Sequence, residues 1–345
     1  MKVDKLDLSH KIAAKFQQLK QEQNFVDIAK LITYSIRVNS QPANQQIFGY
    51  IPRIFRVVEI ADQPDLIQSK DIFIDEPVVY QVNYSGDRQM YGLKYFYIFC
   101  YLKARTNHLN VHFQSAHPKY KDLCPEHYTL EQEKISFEGC LSSFIDPDSS
   151  VISISDPGHF LPDMTSSYYV GSTELNFPKL IASLVEKIAL LAEIDLGQSL
   201  FFGSSAGTFG ALLSSTYLSK KTNVLAVNSQ INVRYRRDIM QACFGISNPK
   251  EVGHKFGSQV SCIHRFKQEL TSVPNIYILA NINDNLHQRN FNFYQHYMKK
   301  YTQPGVNHQS VFDSYYGVDG HGRPEASSLK AKIKIARAVL TMKST

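Results

Sequence analysis

A mainly parallel α/β sheet flanked by helices, with a small N-terminal α+β extension, is the fold class that this 345-residue sequence predicts. Three observations predict it. Beyond residue 90, short apolar runs with strand character alternate with helical patterns, the order that builds parallel sheets. Those runs are too apolar to leave one face in water, so helices must cover both sides. The composition, 43% hydrophobic and 20% charged, is globular and long enough to bury a large core, which excludes disordered, collagenous and disulfide-scaffold chains.

Each element has its own signal. Over residues 6–38, Ile12, Phe16, Leu19, Phe25, Ile28, Leu31 and Ile32 fall near helical spacing, with Ser9 as an N-cap and a break near Asn24 and Phe25. From Phe55 to Tyr84 the pattern turns β-rich, with FRVVEI and then DIFIDEPVVYQVNY. Residues 1–85 carry ten basic and ten acidic side chains, so the rest of the chain carries the whole excess charge. This places a division near residue 86, between a 1–85 extension and an 86–345 α/β domain. The later strands are YFYIFCYL, HLNVHF (108–113), SVISIS (150–155), SLFF (199–202), NVLAVN (223–228), NIYILA (275–280) and SVFDSYY (310–316). A helix from Pro178 to Ile194 has proline in its first turn and an apolar stripe through Leu180, Ile181, Leu184, Val185, Ile188 and Leu191. A last helix runs from Ala326 to Met342.

The net charge, 37 − 31 = +6, is spread along the chain rather than gathered in a basic stripe, which argues against a nucleic-acid reader. The longest aromatic-apolar run, Tyr95 to Leu102, is far short of the ~20 residues of a spanning helix, so no membrane span is expected. The opening MKVDKLDLSHK lacks the apolar core of a secretory signal. Cys100, Cys124, Cys140, Cys243 and Cys262 are scattered and form no CxxC pair, so neither a zinc site nor a disulfide framework is expected. These features point to a cytoplasmic protein with reduced core thiols.

The sharpest chemical signal is Gly203-Ser204-Ser205-Ala206-Gly207, a G-x-S-x-G entered from the strand SLFF and left through TFGALLSSTYL. Strand, tight turn and helix in that order lift a serine hydroxyl above the sheet edge, and the helix N-terminus favours developing negative charge. A serine needs a base, and the base an orienting acid. Asp284 follows NIYILA and His321 follows SVFDSYY, in the chain order this topology requires. Asp319 is an alternative partner for His321. His287 lies too near Asp284 in sequence to serve as base from the same loop, and Asp313, inside a strand, reads as structural. Ser204 should point away from the apex. The Ala206 amide is the first oxyanion donor, and the Ser115 or Ala116 amide, in the loop after HLNVHF, is the second. Asp156-Pro157-Gly158 reads as a turn. Arg234, Arg236 and Arg237 read either as anion ligands or as a solvated charge cluster.

An ordered series of stretches from about residue 90 to 342 resembles a group of α/β-hydrolase-like proteins from bacterial capsule loci that includes capsular polysaccharide O-acetyltransferases. HFQSAHP resembles that group's F-H-G-A, ISISDP its strand ending in D-P, YYVGS its W-Y-x-G, and FFGSSAGTFGAL its G-S-S-G-G-x-A-A-L. AVNSQINV resembles I-N-P-Q-T, NINDNLH resembles N-x-x-D-x-x-H, and GHGRP resembles G-H-x-x-P. Gln114-Ser115 stands where the group has His-Gly, Ala206 where it has glycine, and Ser229 where it has proline. The resemblance implies Ser205 as nucleophile, Asp284 as acid, His321 as base, Ala206 and Ser115 as oxyanion donors, and no bound cofactor or metal. It further implies acetyl-CoA as co-substrate and a polysaccharide or oligosaccharide acceptor, with capsule-synthesis proteins as partners; for such an acceptor Gln114, Arg234 and Arg236 are the expected substrate-binding residues. Two other functions fit the same residues: an esterase using the same triad, and a non-catalytic capsule-assembly protein on this fold.

Overall fold

The computed structural model describes residues 11, 14–19, 21, 22, 56–86, 88, 90–116, 146, 148–160, 164–268, 272–299, 308–318, 320–322 and 324–341. Nine strands form one sheet: β1 (Arg56–Ala61), β2 (Pro77–Asn83), β3 (Tyr95–Tyr101), β4 (Leu109–Phe113), β5 (Ser150–Ile154), β6 (Leu200–Ser204), β7 (Asn223–Val227), β8 (Asn275–Asn281) and β9 (Ser310–Tyr315). Their spatial order is β1-β2-β3-β5-β4-β6-β7-β8-β9. β3 runs antiparallel to both neighbours, and every other pairing is parallel. All nine runs read as strands from sequence are strands here.

Beyond β5 the described residues form seven α-helices: α1 (Phe177–Leu191), α2 (Ala206–Ser215), α3 (Arg237–Phe244), α4 (Pro249–Val260), α5 (Cys262–Phe266), α6 (His287–Phe293) and α7 (Ala326–Thr341). A π-helical turn, Tyr294–Met298, continues α6. α1 starts at its Asn176 cap, whose side chain accepts the Lys179 N–H, and stops at Leu191 rather than Ile194 because Glu193 turns left-handed at φ 58°. α3, α4 and α5 leave no single periodic signal: they are short, and α4 is kinked at Phe256. Of the helix expected over 6–38, residues 14–19 are helical, with Phe16 and Leu19 buried; Ser9 and the break near Phe25 lie outside the described residues.

The two sheet faces are each packed. Phe201, Val224, Ala226, Ile276 and Ile278 join the large core with α1 and α2. The alternate residues Leu200, Phe202, Leu225, Val227, Tyr277 and Leu279 pack against Leu329, Ile333, Ala336 and Leu340 of α7. β1 and β2 precede the boundary expected at residue 86, and both are hydrogen-bonded into the same sheet that continues past it. Strand order reverses direction at the β4–β6 pair, and the crevice created there opens at the carboxyl ends of the strands.

Candidate active site

Ser205 sits at that reversal, between the end of β6 and the start of α2. Its backbone is left-handed, φ 51° and ψ −114°, a conformation that costs on the order of 1–3 kcal/mol in a non-glycine residue. The Ser205 N–H is anchored to the Val227 carbonyl at 2.9 Å. Glycines on either side are obligatory by contact. A Cβ on Gly203 would lie 2.4 Å from the Gly207 carbonyl carbon, and one on Gly207 would lie 2.2 Å from the Phe113 oxygen at the end of β4.

The loops after β8 and β9 bring the other two residues to this serine. His321 Nε2 is 2.7 Å from Ser205 Oγ, and His321 Nδ1 is 2.7 Å from Asp284 Oδ2. A carboxylate only accepts, so Nδ1 carries the proton and Nε2 is left to accept from the serine hydroxyl. The Asp284 side chain is 1% exposed, and its other oxygen accepts the Leu286 N–H at 2.9 Å. Both oxygens are therefore committed, which fixes the ring.

Asn228, which sequence reasoning passed over, assembles the three loops. It lies fully buried just past β7 with φ 47°. Its Oδ1 accepts the Asn281 N–H at 2.8 Å, while its Nδ2 donates to Tyr315 Oη (2.8 Å) and the carbonyls of Gly322 (3.0 Å) and His321 (3.4 Å). Tyr315 in turn donates to the Gly322 carbonyl. Burial pushes the Tyr315 phenol up to about 12, against the Asn228 hydrogen bond and with the Asp284 charge, so it remains a donor. An asparagine at a strand's carboxyl end, where a left-handed residue is tolerated, was the only local signal.

Asp156 is a second such centre, and more than a turn residue. It is fully buried and accepts from Gly158 N (2.8 Å), Ser166 Oγ (2.5 Å), Ser167 N (2.9 Å), Ser167 Oγ (2.5 Å) and Tyr168 N (3.0 Å). These bonds hold Tyr168 and Tyr169 left-handed, at φ 56° and 60°. The Tyr169 hydroxyl then lies between the carbonyls of Gln114 (2.9 Å) and Ile154 (3.1 Å), bracing the exit of β4 beside Gly207.

The remaining expected residues fall as follows. Ala206 is the first residue of α2, where its N–H has no intrahelical acceptor, and Ser115 lies in the braced loop after β4. Gln114 is 1% exposed, and its side-chain carbonyl accepts the Asp156 N–H at 3.4 Å; it lies beneath the surface, not on it. Arg236 donates to the Tyr168 hydroxyl at 2.7 Å, and burial raises that phenol's pKa against the guanidinium's pull. Arg234 lies over the Tyr235 ring at 4.7 Å and donates to its hydroxyl, so the two arginines engage different tyrosines. Asp313 binds Tyr277 and Lys332, and His287 meets Ser314 at 3.1 Å, both apart from Ser205. Asp319, Cys124 and Cys140 lie outside the described residues; Cys100, Cys243 and Cys262 are free and buried. Among the described residues no cluster of His, Cys, Asp and Glu could hold a metal, and no helix is long and apolar enough to cross a membrane.

No protein-family model and no curated protein matches this sequence. Among solved structures, the chain is similar to the capsule O-acetyltransferase of Neisseria meningitidis serogroup A, at 15% identity and TM-score 0.50 over 70% of this chain and 91% of that one. The fold is that of the α/β-hydrolases. Two further structures match at lower scores. The Staphylococcus aureus fluorophosphonate-binding serine hydrolase FphF has 12% identity and TM-score 0.48, over 77% of this chain and 99% of that one. The metagenomic carboxylesterase EstE1 has 15% identity and TM-score 0.48, over 79% and 91%. In an α/β-hydrolase fold the carboxyl edge of the sheet is where ligands enter, which is the edge carrying Ser205, Asp284 and His321 here.

A cleft of about 390 Å3 opens at this edge, between the loop after β7 and α6 with its π-helical turn. A larger cavity, about 570 Å3, lies against α1 between Pro64 and Lys220, away from the carboxyl edge; no residue of the triad lines either one.

Proposed function

We propose that this protein is a serine-dependent O-acetyltransferase of capsular polysaccharide biosynthesis. The observation that carries the reading is the continuous chain Ser205 Oγ–His321–Asp284, with both links at 2.7 Å. His321 takes the Ser205 proton as Oγ attacks the thioester carbonyl of acetyl-CoA. The tetrahedral oxyanion is received by the amides of Ala206 and Ser115, near the positive end of α2. The C–S bond breaks, and His321 returns the proton to the departing CoA sulfur. A sugar hydroxyl then gives its proton to His321 and attacks the acetyl-serine; the C–Oγ bond breaks and Ser205 recovers the proton. Acetyl-CoA as donor is supported by the ordered sequence stretches that resemble capsule O-acetyltransferases, and the fold is compatible with it. That donor, with the reduced buried thiols, fits a cytoplasmic site of action beside other capsule-synthesis proteins.

A second reading, ester hydrolysis, is favoured by one observation: the His321 side chain is 44% exposed, so water has a route to an acyl-enzyme. Intact-protein mass spectrometry after brief exposure to acetyl-CoA tests both, with thiol release followed in parallel. An acetyl adduct present in the wild type and missing in Ser205→Ala, and discharged faster by saccharide than by water, is expected. Thiol release without saccharide dependence would establish the hydrolase. No adduct and no thiol release would remove acetyl-CoA as donor.

A further inference from the structure

No triad residue lines the cleft at the carboxyl edge, but its walls are hydrogen-bonded to the segments that carry Ser205 and Asp284. The Gln230 N–H, in its wall, donates to Thr208 Oγ1 at 3.1 Å, and that hydroxyl donates to the Ser205 carbonyl at 2.5 Å. On the opposite wall, Leu286 is tied through its N–H to Asp284. Ser229 also lines the cleft; its N–H is held by Asn290 at 3.0 Å, but its buried hydroxyl has no partner among the described residues.

The lining is one-signed. Arg289 and His296 are both exposed there, neither has an ion-pair or hydrogen-bond partner among the described residues, and no acidic side chain lines the cleft. Two further cations lie over aromatic rings of the lining: Arg234 over Tyr235 at 4.7 Å and Lys267 over Tyr297 at 5.8 Å. Gln230 and Asn292 add carboxamides. The π-helical turn supplies both His296 and Tyr297, and such turns recur at functional sites.

Aromatic faces pack against sugar C–H groups, carboxamides pair with hydroxyls, and a guanidinium with an imidazole N–H beside it calls for a carboxylate or phosphate. We infer that this cleft is the acceptor subsite and that it takes an anionic saccharide, a sugar bearing a carboxylate or a phosphodiester. The word acceptor rests on the acetyl-transfer reading; the ligand class rests on the cleft alone. At about 390 Å3 the cleft is at the small end for ligand pockets, suited to a sugar or two rather than to the length of CoA.

The test is the double variant Arg289→Gln/His296→Gln, with its fold checked by urea unfolding, in two assays. In turnover, KM for acidic oligosaccharides should rise about tenfold, while KM for size-matched neutral ones moves less than about twofold. An equal rise for both, no rise, or a rise confined to acetyl-CoA would overturn the inference; the last would assign the cleft to CoA phosphates. In the second assay, calorimetry measures acidic and neutral oligosaccharides binding to Ser205→Ala protein, with and without the double change. Charge-selective binding that the double change abolishes supports the subsite even if acetyl-CoA never acylates Ser205, in which case only the acetyl-transfer reading fails. Binding that is absent or indifferent to charge overturns the subsite.

Discussion

Asp156→Asn exchanges one carboxylate oxygen for an NH2 group at a site where five donors already converge. Placed on the Oδ2 side, the NH2 would confront two backbone amides, Ser167 and Tyr168, which cannot turn away. Placed on the Oδ1 side, it confronts only Gly158 N–H, because the Ser167 hydroxyl can rotate to accept. The cheaper arrangement thus orphans one buried amide, about 1–3 kcal/mol, and removes charge assistance from the three bonds at Oδ2, about 1 kcal/mol each. Relief of the buried charge offsets part of this, leaving a net loss of about 2–4 kcal/mol. The damage should reach the site, because the left-handed Tyr168–Tyr169 pair that Asp156 holds carries the Tyr169 brace on Gln114. Urea unfolding followed by circular dichroism gives the stability, and the rate of Ser205 labelling by a fluorophosphonate gives the site. Labelling slowed about tenfold or more is expected. A stability change below about 0.5 kcal/mol with unaltered labelling would refute the reasoning.

Three further outcomes are expected. Ser205→Gly should unfold about 1 kcal/mol harder than Ser205→Ala, since only glycine relieves the strain at φ 51°, and neither should take the phosphonate; equal stability would remove the strain argument. Asp284→Asn would donate to His321 Nδ1 and leave the proton on Nε2, so acetylation of Ser205 should slow about 10^3–10^4-fold with the fold kept, as stopped-flow thiol release would show. Burial, aided by the Lys221 cation and opposed by the Val273 carbonyl, pulls the His308 imidazole down to about 4. The unfolded chain then binds the extra proton between about pH 6.5 and 4, so stability is complete near neutrality and falls by up to about 3 kcal/mol as pH drops through that window. His308→Gln should flatten this fall in urea titrations; an unchanged pH profile would assign it elsewhere.

Local structure was legible from residue order alone. Runs such as YFYIFCYL and VLAV form strands because nearly every side chain in them is apolar or aromatic and can be buried on either face. Gly203 and Gly207 mark the turn at Ser205 because no Cβ fits there, and the chain order of serine, acid and histidine was readable because each follows its own strand. Strand neighbours emerge from the folded chain, with β5 inserted between β3 and β4 and residue 86 crossed within one sheet. Only the folded chain shows Asn228 joining three loops, Asp156 converting a turn into a brace, and Gln114 lying beneath the surface. The basic cleft emerges only there too, because Gln230 after β7 and the Arg289–His296 segment come from separate stretches. A polar residue's role depends on the partner it meets when buried, and that partner can lie anywhere in the chain. Arg337 and Asn110, bonded at 2.7 Å, are 227 residues apart in the chain, and no periodicity or propensity records a pairing of that span.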